Sequence, residues 1–142
     1  SIGIDTVASV AFGLPSETRQ SILKTIDYVN SLKPDHVIFA LATPYPGTAF
    51  YSEAVENGWI VDNDWSNYTL FKPLIETSDL QKEDLKELLK YAYKKFHINP
   101  TWLARRQIRV VSVATTEYGM KLYFKNLSWL IRALKRNFFI LR

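Results

Sequence analysis

Two abrupt exits from apolar runs constrain this chain more than any other feature. The run Val7-Ala8-Ser9-Val10-Ala11-Phe12 stops at Gly13-Leu14-Pro15, and helical spacing begins at once. The run from His36 to Ala42 stops at Pro44 and Pro46, turns at Gly47, and is again followed by a helical segment. Short, uncharged runs rich in small and branched residues read as strands buried on both faces. Strand–helix–strand–helix order with such short connections is the grammar of a parallel sheet with helical crossovers. Two strands cannot make a stable sheet alone. The rest of the sheet must come from a longer parent chain or from a second copy pairing on an open edge.

Local signals refine the elements. Ser16 reads as a helix N-cap with Glu17 in the first turn, and Ile22, Leu23, Ile26 and Val29 form an apolar stripe. Lys33-Pro34 ends that helix. A short helix runs from Ala49 to Asn57, closed by Gly58. Residues 59–78 are aromatic-rich and irregular and are expected to wrap the sheet edge. Ser78, with Gln81 three residues on, reads as the capping box of a further helix, whose buried stripe is Leu85, Leu88, Leu89, Ala92 and Phe96. Asn99-Pro100 breaks it. A basic helix follows from Thr101 to about Val113, and another from Glu117 to about Phe139. The expectation is an α/β chain: two strand–helix units over residues 1–58, a wrapping loop and helix over 59–97, and a mostly helical basic extension over 98–142.

Charge separates that extension from the rest. Residues 1–97 carry 9 Lys+Arg against 13 Asp+Glu, whereas residues 98–142 carry 9 against 1. The basic residues there interleave with Tyr118, Tyr123, Phe124, Trp129, Phe138 and Phe139. That mixture fits docking on a membrane surface or an anionic partner, with nucleic acid the weaker reading; its helical apolar spacing also fits ordinary packing. The chain has no cysteine, which excludes disulfides, thiolate metal sites and cysteine nucleophiles from these residues. A cysteine-free chain with no signal-peptide pattern fits a reducing, cytoplasmic setting. No apolar run reaches the roughly 18 residues of a spanning helix. The opening in mid-strand, without an initiator methionine, is expected of a piece of something longer.

In parallel α/β proteins ligands lie at the carboxyl ends of the strands. That rule brings Phe12, Gly13, Leu14 and Pro15 to one rim with Thr43, Pro44 and Tyr45. A glycine lets backbone approach a ligand closely, and prolines fix loop shape. Such a rim suits a flat, adenine-like group held by backbone and apolar contacts; a pair of ordinary strand-to-helix turns explains the same residues. Glu17 reads either as a partner for a ligand amine or hydroxyl or as a first-turn glutamate favouring the helix dipole. His36 and His97 have no partner at metal spacing. No nucleophile elbow, phosphate loop or acid/base pair is present. These residues carry no complete catalytic set.

The stretches "FGLPSETRQSILKTIDYVNSLKPD" and "FALATPYPGTAFYSEAVENGW" resemble the C-terminal part of radical S-adenosylmethionine (SAM) enzymes. More narrowly, they are similar to the branch carrying a cobalamin-binding domain, which includes anaerobic magnesium-protoporphyrin IX monomethyl ester oxidative cyclases. The resemblance rests on Gly13-Leu14-Pro15-Ser16-Glu17-Thr18, where the family has glycine at the place of Ser16, and on the complete Pro44-Tyr45-Pro46-Gly47-Thr48 turn. Gly58-Trp59, Asp64-Trp65 and "YAYKKFHINPTWLARR" add to it, and it fades beyond about Ser112. It implies the last two strand–helix units of a partial (β/α) barrel. It further implies that Phe12, Gly13, Leu14, Thr43, Pro44 and Tyr45 line the SAM side of the site. The family cleaves SAM reductively on a four-iron four-sulfur cluster, making a 5′-deoxyadenosyl radical that abstracts a substrate hydrogen. The cluster's Cys-x3-Cys-x2-Cys loop would lie upstream of Ser1, so this stretch alone should be inactive. The substrate is open, a tetrapyrrole being the analogy, and cobalamin use is open too.

Overall fold

The computed structural model describes residues 4–113, with side chains through residue 106. The chain divides into two compact units, residues 1–99 and 100–142. The first unit holds strand β1 (Val7–Phe12), helix α1 (Arg19–Leu32), strand β2 (His36–Leu41), helix α2 (Ala49–Glu56), a 3-10 turn (Trp65–Asn67) and helix α3 (Lys82–His97). The second contains helix α4 (Pro100–Val113). Proline stands at its first position, where the missing N–H would have no helical partner anyway. The Arg106 guanidinium lies 5.2 Å from the centre of the Trp102 ring. The expected helix from Glu117, and with it most of the basic extension, lies outside the described residues. No helix among the described residues is long and apolar enough to cross a membrane.

β1 and β2 pair in parallel, with Val7 opposite His36 and Phe12 opposite Leu41. The architecture is α/β. The helix-facing side of the sheet is core: Phe12 and Phe39 are fully buried with rings stacked 5.5 Å apart, and Leu41 joins them. On the other face Val7 and Ile38 are 59% and 45% exposed, and Ser9 and Ala11 are exposed as well. The expectation of strands buried on both faces is therefore corrected for β1 and the start of β2, while Phe39 to Ala42 are buried in succession, on both faces. Only one face meets a helical layer within the described residues, so exposure along β1 alternates with the pleat.

The two outer edges of this sheet differ. At β2, the Phe39 N–H donates to the Tyr93 hydroxyl at 3.1 Å, and that hydroxyl lies 2.9 Å from the Phe39 carbonyl. Further along, the Leu41 N–H donates to the Leu70 carbonyl at 2.7 Å. A helix side chain and a loop carbonyl thus occupy the ladder groups that another strand would use. Among the described residues β1 receives no such cover along Val7, Ser9 and Ala11.

α3 packs on β2 and α1, burying Leu85, Leu88, Leu89, Ala92 and Phe96 as the periodicity predicts. α1 buries Ile22, Ile26 and Val29, while Leu23 is half-buried. The helix starts differ from the sequence reading. Thr18, not Ser16, caps α1, exchanging hydrogen bonds with Ser21. Gln81, not Ser78, precedes α3, and its N–H donates to the Asp84 carboxylate at 3.2 Å. Both starts lie later because a turn comes first: Glu17 N–H bonds Leu14 C=O, and Thr77 N–H bonds Leu80 C=O. α2 ends as expected at Gly58 (φ +66°). There Gly58 N–H reaches Val55 C=O and Trp59 N–H reaches Ala54 C=O, a Schellman closure.

Candidate functional site

The Ala42 N–H donates to the Phe12 carbonyl at 2.7 Å. This bond extends the parallel ladder past the strands and holds the two exit loops side by side at their carboxyl ends. The six rim residues that the resemblance gives to the SAM side do not present themselves equally. The Phe12 side chain is fully buried in the core, so only its backbone belongs to the rim. Pro44 is buried as well. Thr43 is half-buried, and its hydroxyl lies 3.2 Å from the Leu41 carbonyl and 3.4 Å from that of Thr69. Leu14 and Tyr45, each 45% exposed, are the side chains the rim offers to a ligand.

Gly13 is buried at φ +85°, and a Cβ there would stand 3.2 Å from Leu85 Cδ2. Both the left-handed conformation and the close approach of α3 select glycine. The Gly13 and Leu14 N–H groups point together at one carboxylate oxygen, Glu17 Oε2, at 2.7 and 2.9 Å. Glu17 thus belongs to neither sequence alternative. It lies before the helix and staples its own loop, so these two donors are already used. What the loop keeps for a ligand is carbonyl oxygen and the Leu14 side chain; the bare Cα of Gly13 is taken up by Leu85. Ser16, at φ +67°, sits in the left-handed region that favours glycine. It is a strained turn residue and not a cap.

The second loop is fixed by other means. Gly47 has φ +84°, and a Cβ added there would meet no atom within 4 Å. The Thr48 hydroxyl donates to the Tyr45 carbonyl at 2.7 Å and accepts the Tyr51 N–H at 3.1 Å, capping α2.

Beside Tyr45 lies an aromatic group that the sequence reading did not assign to the site. The Tyr68 ring centre is 6.3 Å from that of Tyr45 and 4.5 Å from that of Trp65, which is tilted 31° to it. Residues 59–61 and 74–76 zip together, Val61 N–H to Leu74 C=O and Glu76 N–H to Trp59 C=O, both at 2.9 Å. They close a loop whose tip carries these rings. Burial pushes the Tyr68 hydroxyl up from its usual value, with Tyr51 and the Asp62 carboxylate adding to the effect. The Ser66 N–H and hydroxyl hold the Asp64 carboxyl below its usual value, with a smaller contribution from Lys72. The sequence signals for this cluster were the aromatic density of residues 59–78 and the Asp64-Trp65 pair of the resemblance.

His36 and His97 are exposed, at the start of β2 and the end of α3; the His97 ring stacks on Tyr93 at 6.1 Å. No group of three or more His, Cys, Asp or Glu that could hold a metal occurs among the described residues. The arrangement offers shape, carbonyl oxygens and aromatic faces.

No protein-family model matches the chain. It is 32% identical over 103 residues to an uncharacterised methyltransferase of Pyrococcus horikoshii, covering 72% of this chain and 22% of that protein. It is 27% identical to a bacteriochlorophyllide d C-8(2)-methyltransferase of Chlorobaculum tepidum, over 95% of this chain and 30% of the other. It is 24% identical to an anaerobic magnesium-protoporphyrin IX monomethyl ester cyclase of Rubrivivax gelatinosus, over 71% of this chain and 18% of the other. The chain thus spans less than a third of these curated relatives. The relatives are named as enzymes, and the similarities support a relationship to the radical SAM superfamily. Methyltransferase names stand beside the cyclase, so the reaction class is wider than the cyclase analogy alone.

Proposed function

We propose that this chain is the C-terminal part of a radical SAM enzyme, the end of its partial barrel, and forms one wall of its SAM site. The observation that supports this most is the Ala42-to-Phe12 bond, which holds the two strand exits together at the end of the sheet where ligands bind. On this reading Leu14 and Tyr45 give the adenine an apolar wall, with Thr43 and Pro44 fixing the path between them. Gly13 contributes its carbonyl oxygen and the left-handed turn that exposes Leu14. Glu17 keeps the loop in shape without touching the ligand.

SAM held at a reduced four-iron four-sulfur cluster supplies the radical that takes a hydrogen from substrate. The cluster fits no residue here, since the chain has no cysteine, and its ligands belong to the upstream part of the parent. β1's uncovered edge takes the preceding strand of that parent, while β2, capped by Tyr93 and Leu70, ends the sheet. The substrate is a tetrapyrrole, by analogy with the relatives named for bacteriochlorophyllide and magnesium-protoporphyrin. Methyl transfer and oxidative ring closure are its two candidate reactions, and a cobalamin-binding region upstream belongs to the same reading.

The coding sequence ahead of Ser1 tests this first. An in-frame Cys-x3-Cys-x2-Cys stretch is expected. The encoded protein, reconstituted anaerobically with iron and sulfide, should then cleave SAM, and alanine at the three cysteines should abolish cleavage. A reading frame without the loop would sink the proposal.

A further inference from the structure

We propose that Tyr68 is a positioning residue: it sets the Tyr45 ring at the angle from which that ring meets SAM, at the head of a brace formed by residues 68–70. The inference rests on the reading above, because Tyr45 is half of the adenine wall there. The second exit loop fixes the Tyr45 backbone and not its ring. The Thr48 N–H and hydroxyl both donate to the Tyr45 carbonyl. The side chain, 45% exposed, keeps its rotamer freedom unless something packs on it. Among the described residues the ring that does so is Tyr68, 6.3 Å away by its centre and tilted 55°.

Tyr68 suits this role because it is itself held. Residues 68–70 meet alternate positions of the β2 exit. The Leu70 carbonyl accepts the Leu41 N–H at 2.7 Å, the Thr69 carbonyl lies 3.4 Å from the Thr43 hydroxyl, and the Tyr68 ring meets Tyr45. Behind Tyr68 stands Trp65, its ring centre 4.5 Å away and its plane 31° off. Trp65 sits on a tied turn: Asp64 Oδ1 accepts the Ser66 N–H, Asp62 Oδ1 accepts the Asp64 N–H, and Asp62 Oδ2 accepts from Asn67 Nδ2, each at 2.9 Å. The three rings form a pile that runs from this turn to the rim, and the 61% exposure of Trp65 marks its outer end. A ring wedged this way has lost its rotamer entropy before the ligand arrives, so binding does not have to remove it. Trp65 and Tyr68 thus shape the SAM site without touching SAM.

S-Adenosylhomocysteine serves as the probe, titrated calorimetrically into the full-length, anaerobically reconstituted protein. Tyr45→Ala should weaken its binding about tenfold and Tyr68→Ala by a similar factor, the scale of one well-placed aromatic contact. Trp65→Ala, which removes only the back of the pile, should weaken it about threefold. Tyr68→Phe keeps the ring and should bind as wild type does, and Tyr28→Ala, at an exposed ring on α1, should change nothing. The double variants decide the matter. If Tyr68 acts through Tyr45, Tyr68→Ala should cost nothing further in Tyr45→Ala protein, and the same holds for Trp65→Ala at its surface position. A general weakening of the fold would add its full factor there. Additive losses in the double variants, or wild-type affinity in Tyr68→Ala, would overturn the positioning role. Failure of the wild type to bind the probe, or binding indifferent to Tyr45→Ala, removes the SAM-wall reading and the brace with it. Binding that needs Tyr45 and not Tyr68 removes the brace alone.

Discussion

The two strand exits do the same job by different means. The first loop is held by a side chain: Glu17 gathers the Gly13 and Leu14 N–H groups, and α3 presses Leu85 against Gly13 from below. The second is held by local preference, with Pro44 and Pro46 restricting φ, Gly47 turning the chain into open space, and the Thr48 hydroxyl bonding back to the Tyr45 carbonyl as it starts the helix. A loop tied by long-range packing fails when one atom is added. A loop written in local backbone preference absorbs the same change.

The sharpest way to break this contrast is alanine at the two glycines. Gly13→Ala combines a left-handed alanine with crowding against Leu85, and a loss of about 2–3 kcal/mol is expected in urea unfolding. Gly47→Ala carries the conformational cost alone, about 1 kcal/mol. Equal losses would show that Leu85 yields freely and that the first loop is not packing-held. Glu17→Ala strands two N–H donors, one in a buried residue, and should cost about 2 kcal/mol; Glu17→Gln, which keeps one acceptor oxygen, should lose less. If Glu17→Ala unfolds like wild type, the staple is not what holds the turn.

Tyr93→Phe removes the hydroxyl that caps both ladder groups of Phe39, and about 1 kcal/mol should follow, with faster amide exchange at Phe39. Ser16→Gly relieves a positive φ and should stabilise by up to about 1 kcal/mol. The smallest effect concerns Lys95, whose hydrogen bonds to Asp27 and then to Tyr91 raise its pKa above the ordinary lysine value. A raised folded-state value means that the contribution is present below the unfolded lysine value, about 10.5, and is lost as pH climbs through the folded one. Lys95 is 35% exposed, so solvent screening keeps the contribution below about 1 kcal/mol. Asp27→Asn should flatten that alkaline limb of the stability curve.

The elements legible in advance were those with a strong local period. The α3 stripe was complete, and the strands and their parallel pairing followed from two apolar runs joined by one short helix. Helix starts were less legible, because Ser16 and Ser78 carry capping side chains at places where a turn intervenes. Capping preference says which residues can accept a helix N–H; it does not say at which residue the helix begins. The rim residues were legible as a group and not in their orientation. Phe12 and Leu14 are neighbours of Gly13, yet one lies in the core and the other is open to solvent; an unbroken pleat would put residues two apart on one face, and the left-handed turn at Gly13 (φ +85°) separates them.

The chain's own order of residues sufficed for the α/β class, the two glycine- and proline-marked exits and the absence of cluster ligands, because each is a property of local conformation or of composition. Three features needed the folded molecule: Glu17 turned back onto its own loop, Tyr93 set on the edge of β2 from a helix 54 residues away, and Trp65 and Tyr68 brought beside Tyr45. The last two join groups whose meeting depends on how elements pack, whereas Glu17 reaches back only three and four residues, through the conformation of its own turn. A side chain's type records what it can bond, and only the packed fold records what lies within its reach.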